Sequence, residues 1–192
     1  SGGGVRYYLD NLEKASFITG YTPFDKLGKT KLIRYRMTDE YLRFYFKYIQ
    51  PNLRTIQQNE RARLFERLTF KSFDKWLGFA FEGFCLKNAM LLARKMGFED
   101  KVIAFGPWFD QSKEGFQVDL AYLRSDKTIT LCEMKFYDKE VETNVIRDVK
   151  RKGSLLPHRR GISLEYALIS KIGPSKSLKE ADFFHHFLRL DE

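Results

Sequence analysis

Two apolar runs, Phe116–Leu123 and Ile129–Phe136, are separated only by a turn around Ser125-Asp126-Lys127, and each carries ionisable side chains in its middle. Runs of this length bounded by turn residues read as strands, and so short a connection makes them a hairpin. Asp119 stands between Val118 and Leu120 in the first strand. Glu133 and Lys135 stand two residues apart in the second, so they point to one face. A charge in the middle of an apolar strand is costly unless it is paired or metal-bound. One alone would mark an edge strand, but three converging through a hairpin mark a site. A salt bridge between Lys135 and Glu133 or Asp119 in a half-buried sheet is the alternative explanation.

The rest of the chain is arranged around this hairpin. A long helical pattern runs from Ser72 through Trp76, Phe79, Cys85, Ala89 and Ala93 to Gly97, followed by a strand at Val102–Phe105. After the hairpin come a helix from about Val141 to Leu155 and strands at Tyr166–Ser170 and Phe184–Leu190. The order of helix, three strands, helix, strand and strand predicts an α/β domain with a mixed sheet over residues 72–192. Upstream, Val5, Tyr8, Leu9 and Leu12 predict an amphipathic helix over 4–16. Phe17–Phe24 and Lys31–Met37 predict a hairpin turning through Pro23, Asp25 and Gly28, so 1–38 reads as a partial winged-helix unit. Between them, 39–71 reads as a helical connector: Asp39 caps an aromatic helix that Pro51 ends, and 54–68 forms a more polar one. The aromatic stripe Tyr41–Ile49 is expected to be buried packing rather than a platform for bases.

Composition narrows the class further. No run of 18 apolar residues exists, which excludes a membrane-spanning helix, and no signal segment opens the chain. Two cysteines, Cys85 and Cys132, are too few for a disulfide scaffold, so a reducing, cytoplasmic setting and small-core roles are expected. The formal net charge is +9. The stretch Arg147–Arg160 sets six basic residues against Asp148 alone. This balance suits a polyanion such as DNA. Arg147, Lys150, Arg151 and Lys152 on the predicted helix, and Lys29 and Lys31 on the wing, are the candidate phosphate contacts, with Gln117 at the mouth of the site.

The chemistry of the central residues fits metal-assisted phosphodiester cleavage. Asp119 and Glu133 supply hard oxygen ligands for Mg²⁺ or Mn²⁺. Lys135 can orient a water or stabilise developing charge. Glu82, amid Phe79, Phe81 and Phe84, can complete the shell from the preceding helix. Other candidates carry less. Gly28-Lys29-Thr30 lacks the partner glycine and the following helix of a phosphate loop. His185 and His186 are adjacent on a strand and face opposite sides. His158 lies in a basic loop, and Ser154 and Ser163 lack any nucleophile pattern.

Glu82, Asp119 and Glu133-x-Lys135 on helix, strand and strand resemble the PD-(D/E)xK nuclease superfamily, with Val118 standing where that family has proline. The resemblance implies that Asp119 and Glu133 bind metal, Lys135 is the catalytic lysine and Glu82 is the helix acid. The whole chain, including Tyr8-Leu9-Asp10-Asn11-Leu12-Glu13 and Arg34-Tyr35-Arg36-Met37-Thr38-Asp39, is similar to the region after the ATPase core of prokaryotic AAA-like P-loop ATPases. It implies a restriction-endonuclease-like fold, an N-terminal ATPase module in the parent chain, no ATP bound by this part, and a possible homo-oligomer. The expected function is metal-dependent DNA cleavage. The rivals are a catalytically silent DNA-binding or interaction module regulating the ATPase, and a winged-helix transcription regulator.

Overall fold

The computed structural model describes residues 2–24, 33–58, 63–69, 71–110, 115–156 and 161–191. They fall into two compact units, one of Ser1–Tyr21 with Ile33–Ala80, the other of Thr22–Leu32 with Phe81–Glu192. The expected turn at Asp25 and Gly28, the wing lysines Lys29 and Lys31, and His158 lie outside the described residues.

The first unit opens with helix α1 (Gly2–Lys14), followed by strands β1 (Ile18–Tyr21) and β2 (Arg34–Met37), an antiparallel pair in which Ile18 faces Met37. Helix then hairpin is the arrangement the sequence predicts. The apolar stripe of α1 is open, with Val5 64%, Tyr8 68% and Leu12 41% exposed. Asp39 caps α2 (Glu40–Phe44) as expected, its carboxylate accepting from Leu42 N at 2.8 Å. The helix does not stop at Pro51 but loosens, through a π turn at Tyr45–Ile49 and a 3-10 turn at Gln50–Asn52, into α3 (Leu53–Gln58). Proline has no N–H for the carbonyl four residues back. The Asn52 side chain donates to the Tyr48 carbonyl at 2.9 Å. Helix α4 (Leu64–Thr69) and the start of α5 (Phe73–Lys87) complete this unit. Phe44 packs on Tyr48, Phe65 and Trp76, but of the stripe expected to be buried only Tyr48 is, while Tyr41 and Phe46 are exposed.

The second unit is built on a five-stranded mixed sheet in chain order: β3 (Val102–Asp110), β4 (Phe116–Arg124), β5 (Thr128–Lys135), β6 (Ser163–Ser170) and β7 (His186–Arg189). The first three strands are antiparallel, and β5, β6 and β7 are parallel. Parallel neighbours need a crossover. Helix α7 (Val145–Ser154) supplies it between β5 and β6, and short α8 (Lys176–Glu180) between β6 and β7. The predicted helix 141–155 starts four residues late because Val141 forms a β-bridge with Pro174.

One face of the sheet is covered by α5 and α6 (Ala89–Lys95). Phe81, Cys85, Ala89 and Ala93 recur every fourth residue and pack on Leu120, Tyr122, Cys132, Met134, Ala167 and Ile169. The sequence predicts one helix here. The structure interrupts it at Asn88, where φ of −102° and ψ of 21° leave the helical region while the side chain and the backbone N–H both donate to the Phe84 carbonyl, at 2.9 and 3.1 Å. The buried Tyr122 hydroxyl donates to the Ala89 carbonyl at 2.6 Å and ties the helix to the sheet. The other face is covered by α7 and α8 through Val145, Val149, Leu168, Leu178 and Phe184. None of the described helices is long and apolar enough to cross a membrane.

Gly153 sets how close α7 lies to β6. A Cβ there would stand 2.4 Å from the Tyr166 hydroxyl oxygen and 3.2 Å from its ring. That ring is stacked on Phe183 at 4.6 Å and cannot easily yield. Gly153→Ala is therefore expected to destabilise the fold by about 1–3 kcal/mol through overpacking. Adding Tyr166→Phe should recover part of the loss. Urea unfolding of both variants checks this, and equal destabilisation with and without the second change would contradict it.

Candidate active site

Asp119 owes its position to a bulge. In the β3–β4 ladder Gly106 faces Ala121 but Trp108 faces Val118, so Asp119 and Leu120 together oppose the single residue Pro107. Proline is tolerated in a strand at such a point because no ladder N–H is required of it. A bulge bends its strand and re-aims side chains. Beyond it, β4 and β5 part company, their last ladder pair being Leu120 with Cys132. The Asp119 carboxylate takes over where the strand leaves off, Oδ2 accepting from Met134 N at 3.1 Å.

Glu133 lies next to that point on β5, on the face covered by α7, and is only 3% exposed. Each of its oxygens is held by a lysine. Lys135 Nζ donates to Oε1 at 2.6 Å from the same strand, and Lys152 Nζ donates to Oε2 at 2.7 Å from α7. Lys152 also stands 3.2 Å from Asp148 Oδ2, one helical turn back. The Lys135–Glu133 pairing is the salt bridge that the sequence offers as the alternative to a metal. Lys152, grouped by sequence with the phosphate contacts, is turned into the site, its side chain 12% exposed.

The charges are strongly coupled. Burial first, then the charge of Glu133, pushes the Asp119 carboxyl up to about 6, against the pull of Lys152, the Met134 N–H and Lys135. Burial works to lower both lysines, but the charge and hydrogen bond of Glu133 outweigh it and hold them above the usual range. The Cys85 thiol is pushed up to about 12 by burial and by the charges of Asp119 and Glu82. Cys132 is raised too, chiefly by burial. Both are buried free thiols held protonated, in keeping with small core residues.

The structure thus gathers Asp119, Glu133, Lys135 and Lys152. Glu82 is half-buried on α5, and its charge acts on the same Cys85 thiol as that of Asp119. Among the described residues, no three His, Cys, Asp or Glu side chains stand together as a metal-holding group. The donors that do meet, two carboxylates with one desolvated and raised by the other, fit a Mg²⁺ ion that takes one or two carboxylates and leaves its other positions to water and phosphate. Gln117 is exposed two residues before Asp119. Arg147, Lys150 and Arg151 are exposed on α7, with Arg151 paired to Asp148 at 3.2 Å. His185 and His186 diverge as expected, His185 Nδ1 accepting from Tyr166 N and His186 Nε2 lying 3.3 Å from Glu165. At the far end of the sheet Arg124 is buried between Glu165 and Asp126 over the Phe98 ring, a cluster the sequence reading did not find. Sequence reasoning also missed Asp148 as the second partner of Lys152, although their i, i+4 spacing was a usable signal.

The chain belongs to a family of archaeal and bacterial proteins of unknown function, DUF234, whose pattern matches residues 45–146. It is 31% identical over 154 residues to an uncharacterized protein, MJECL04, of Methanocaldococcus jannaschii, an alignment covering 78% of this chain and 33% of that protein. The chain thus spans about a third of the length of this relative. No solved structure matches it.

Asp119 is a carboxylate whose ionised form the fold disfavours. Its folded pKa of about 6 lies above the roughly 3.9 of an unfolded aspartate. The folded state therefore binds the proton more tightly, and the contribution of Asp119 to stability, full below pH ~4, is lost as pH rises through ~6. Asp119→Asn, which can still accept from Met134 N, should stabilise the protein at pH 8 by about 1–3 kcal/mol and leave it unchanged at pH 4. Thermal melts across that range decide it. A variant less stable than wild type at pH 8 would contradict the assignment.

Proposed function

We propose that the second unit is a restriction-endonuclease-like, PD-(D/E)xK-type domain that hydrolyses phosphodiester bonds in DNA with Mg²⁺ or Mn²⁺. The observation that carries this reading is the buried Glu133–Lys135 pair set beside the desolvated Asp119 where β4 and β5 diverge. Buried charges beside Leu120, Leu131, Cys132 and Met134 are costly unless paired or bound to a cation. A carboxylate perturbed like Asp119, with charge partners at hand, is typical of catalytic sites.

Asp119 and Glu133 offer the carboxylate oxygens for the cation. A bound Mg²⁺ supplies charge neutralisation at the phosphate and a lowered pKa for its water. Lys135 fixes the orientation of Glu133 through Oε1 and presents a cationic donor to the attacking water or to charge developing on phosphorus. The exposed Arg147, Lys150 and Arg151 on α7 meet the DNA backbone, a sequence-independent and salt-dependent contribution. Glu82 supports the site from the α5 side. The resemblance to the region after the core of prokaryotic AAA-like ATPases supports an N-terminal P-loop module in the parent chain, and the relative's greater length is compatible with a longer parent. The helix and hairpin of the first unit then serve as the remaining part of a winged helix.

A catalytically silent DNA-binding or interaction module of the same fold is the second reading. It is favoured by the full occupation of both Glu133 oxygens by lysines.

Nicking of supercoiled plasmid by the whole chain with Mg²⁺ or Mn²⁺ separates the two. Cleavage should depend on the metal and fall by about 10²-fold or more in Glu133→Gln and Lys135→Met, the scale of a lost acid–base or electrostatic group. Metal-independent or mutation-resistant cleavage would reject the site. DNA retardation without cleavage would favour the silent module.

A further inference from the structure

Glu133 has two carboxylate oxygens, and a different lysine takes each of them. Each ammonium competes with a divalent cation for the charge of Glu133, so the cation binds more strongly once one of them moves away. The two lysines are not equivalent. Lys135 lies two residues along the same strand and pairs with Glu133 Oε1. Lys152 sits between two carboxylates, 2.7 Å from Glu133 Oε2 and 3.2 Å from Asp148 Oδ2.

Asp148 is the natural second berth. Its side chain is 49% exposed, against 4% for Glu133, so a shift toward it carries the ammonium outward to water. Both residues belong to α7 at i, i+4 spacing, where such pairs form without moving the backbone. Lys152 lies in the last turn of that helix, where a cation is favoured whether or not Glu133 holds it. The flexible four-carbon stem of a lysine makes the swing a side-chain motion only.

We propose that Lys152 is a displaceable counter-cation. It neutralises Glu133 in the metal-free protein and transfers to Asp148 when a divalent ion occupies the carboxylate pair, so that α7 sets the metal affinity of the site. This rests on the metal-binding reading above. It goes beyond it by giving Lys152 and Asp148 opposite effects on one equilibrium. The exchange also puts an ammonium at the outer rim of the site only when the metal is in place. There it can meet a phosphate oxygen that the buried position denies it.

The test is Mn²⁺ binding to the whole chain, by calorimetry or by the paramagnetic resonance of free Mn²⁺, with no DNA present. Lys152→Met should tighten binding by roughly 3- to 10-fold, the scale of removing one competing charge near a partly buried site. Asp148→Asn should weaken it by a similar factor, since the released ammonium loses its berth. Lys171→Met and Asp138→Asn, an ion pair next to the same strand ends, change the same charges without touching Glu133 and should leave the affinity within twofold. Lys152→Met should also melt lower than wild type without metal and gain more on adding Mn²⁺. Wild-type binding with no gain in Lys152→Met, or equal shifts in the Lys171 and Asp138 controls, would overturn the exchange and leave the metal site standing. If Lys152→Met fails to fold, unchanged affinity in Asp148→Asn overturns it. Absence of Mn²⁺ binding in every protein would overturn the metal site and the exchange with it.

Discussion

A carboxylate buried in an apolar sheet must be neutralised where it stands, and Glu133 meets that requirement by drawing in two lysines from different elements. The pairing with Lys135 is local to β5. The pairing with Lys152 reaches across the sheet face to α7 and fastens the crossover helix to the strand it follows. Removing one partner of such a buried pair typically costs 3–5 kcal/mol, far more than an exposed ion pair gives. The close seat of α7 is a precondition. Gly153, the residue after Lys152, lets the helix lie against Tyr166 at a distance that a side chain would forbid.

The second constraint is the bulge at Asp119. Opposite Pro107, β4 carries one residue too many, bends away from β5 and leaves the Met134 N–H to the Asp119 carboxylate. The same bend sets Asp119 within electrostatic reach of Glu133, Lys135 and Lys152 on one side and of Cys85 on the other. Asp119 is thus kept at a rim where its charge is only partly compensated. Proteins retain such disfavoured groups where function requires them.

Much of this was legible in the chain. The hairpin with Asp119 on one strand and Glu133 and Lys135 on the next follows from apolar runs and a short turn. The order of elements predicts the mixed sheet. Asp39 as a cap and the aromatic packing around Phe44 also follow from pattern. Local backbone geometry accounts for the misses: Asn88 leaves the helical region for one residue, Pro51 loosens a helix rather than ending it, and Val141 is captured by Pro174.

The sequence by itself determined which residues are ionisable inside apolar strands and that strand periodicity puts Glu133 and Lys135 on one face. Tertiary structure alone decided that Lys152 joins them while Arg147, Lys150 and Arg151 stay outside. The reason is geometric. Periodicity fixes the face of each side chain within its own element, whereas the rotation and depth of α7 against the sheet depend on Gly153, Tyr166 and the buried valines, which are brought together only when the chain folds.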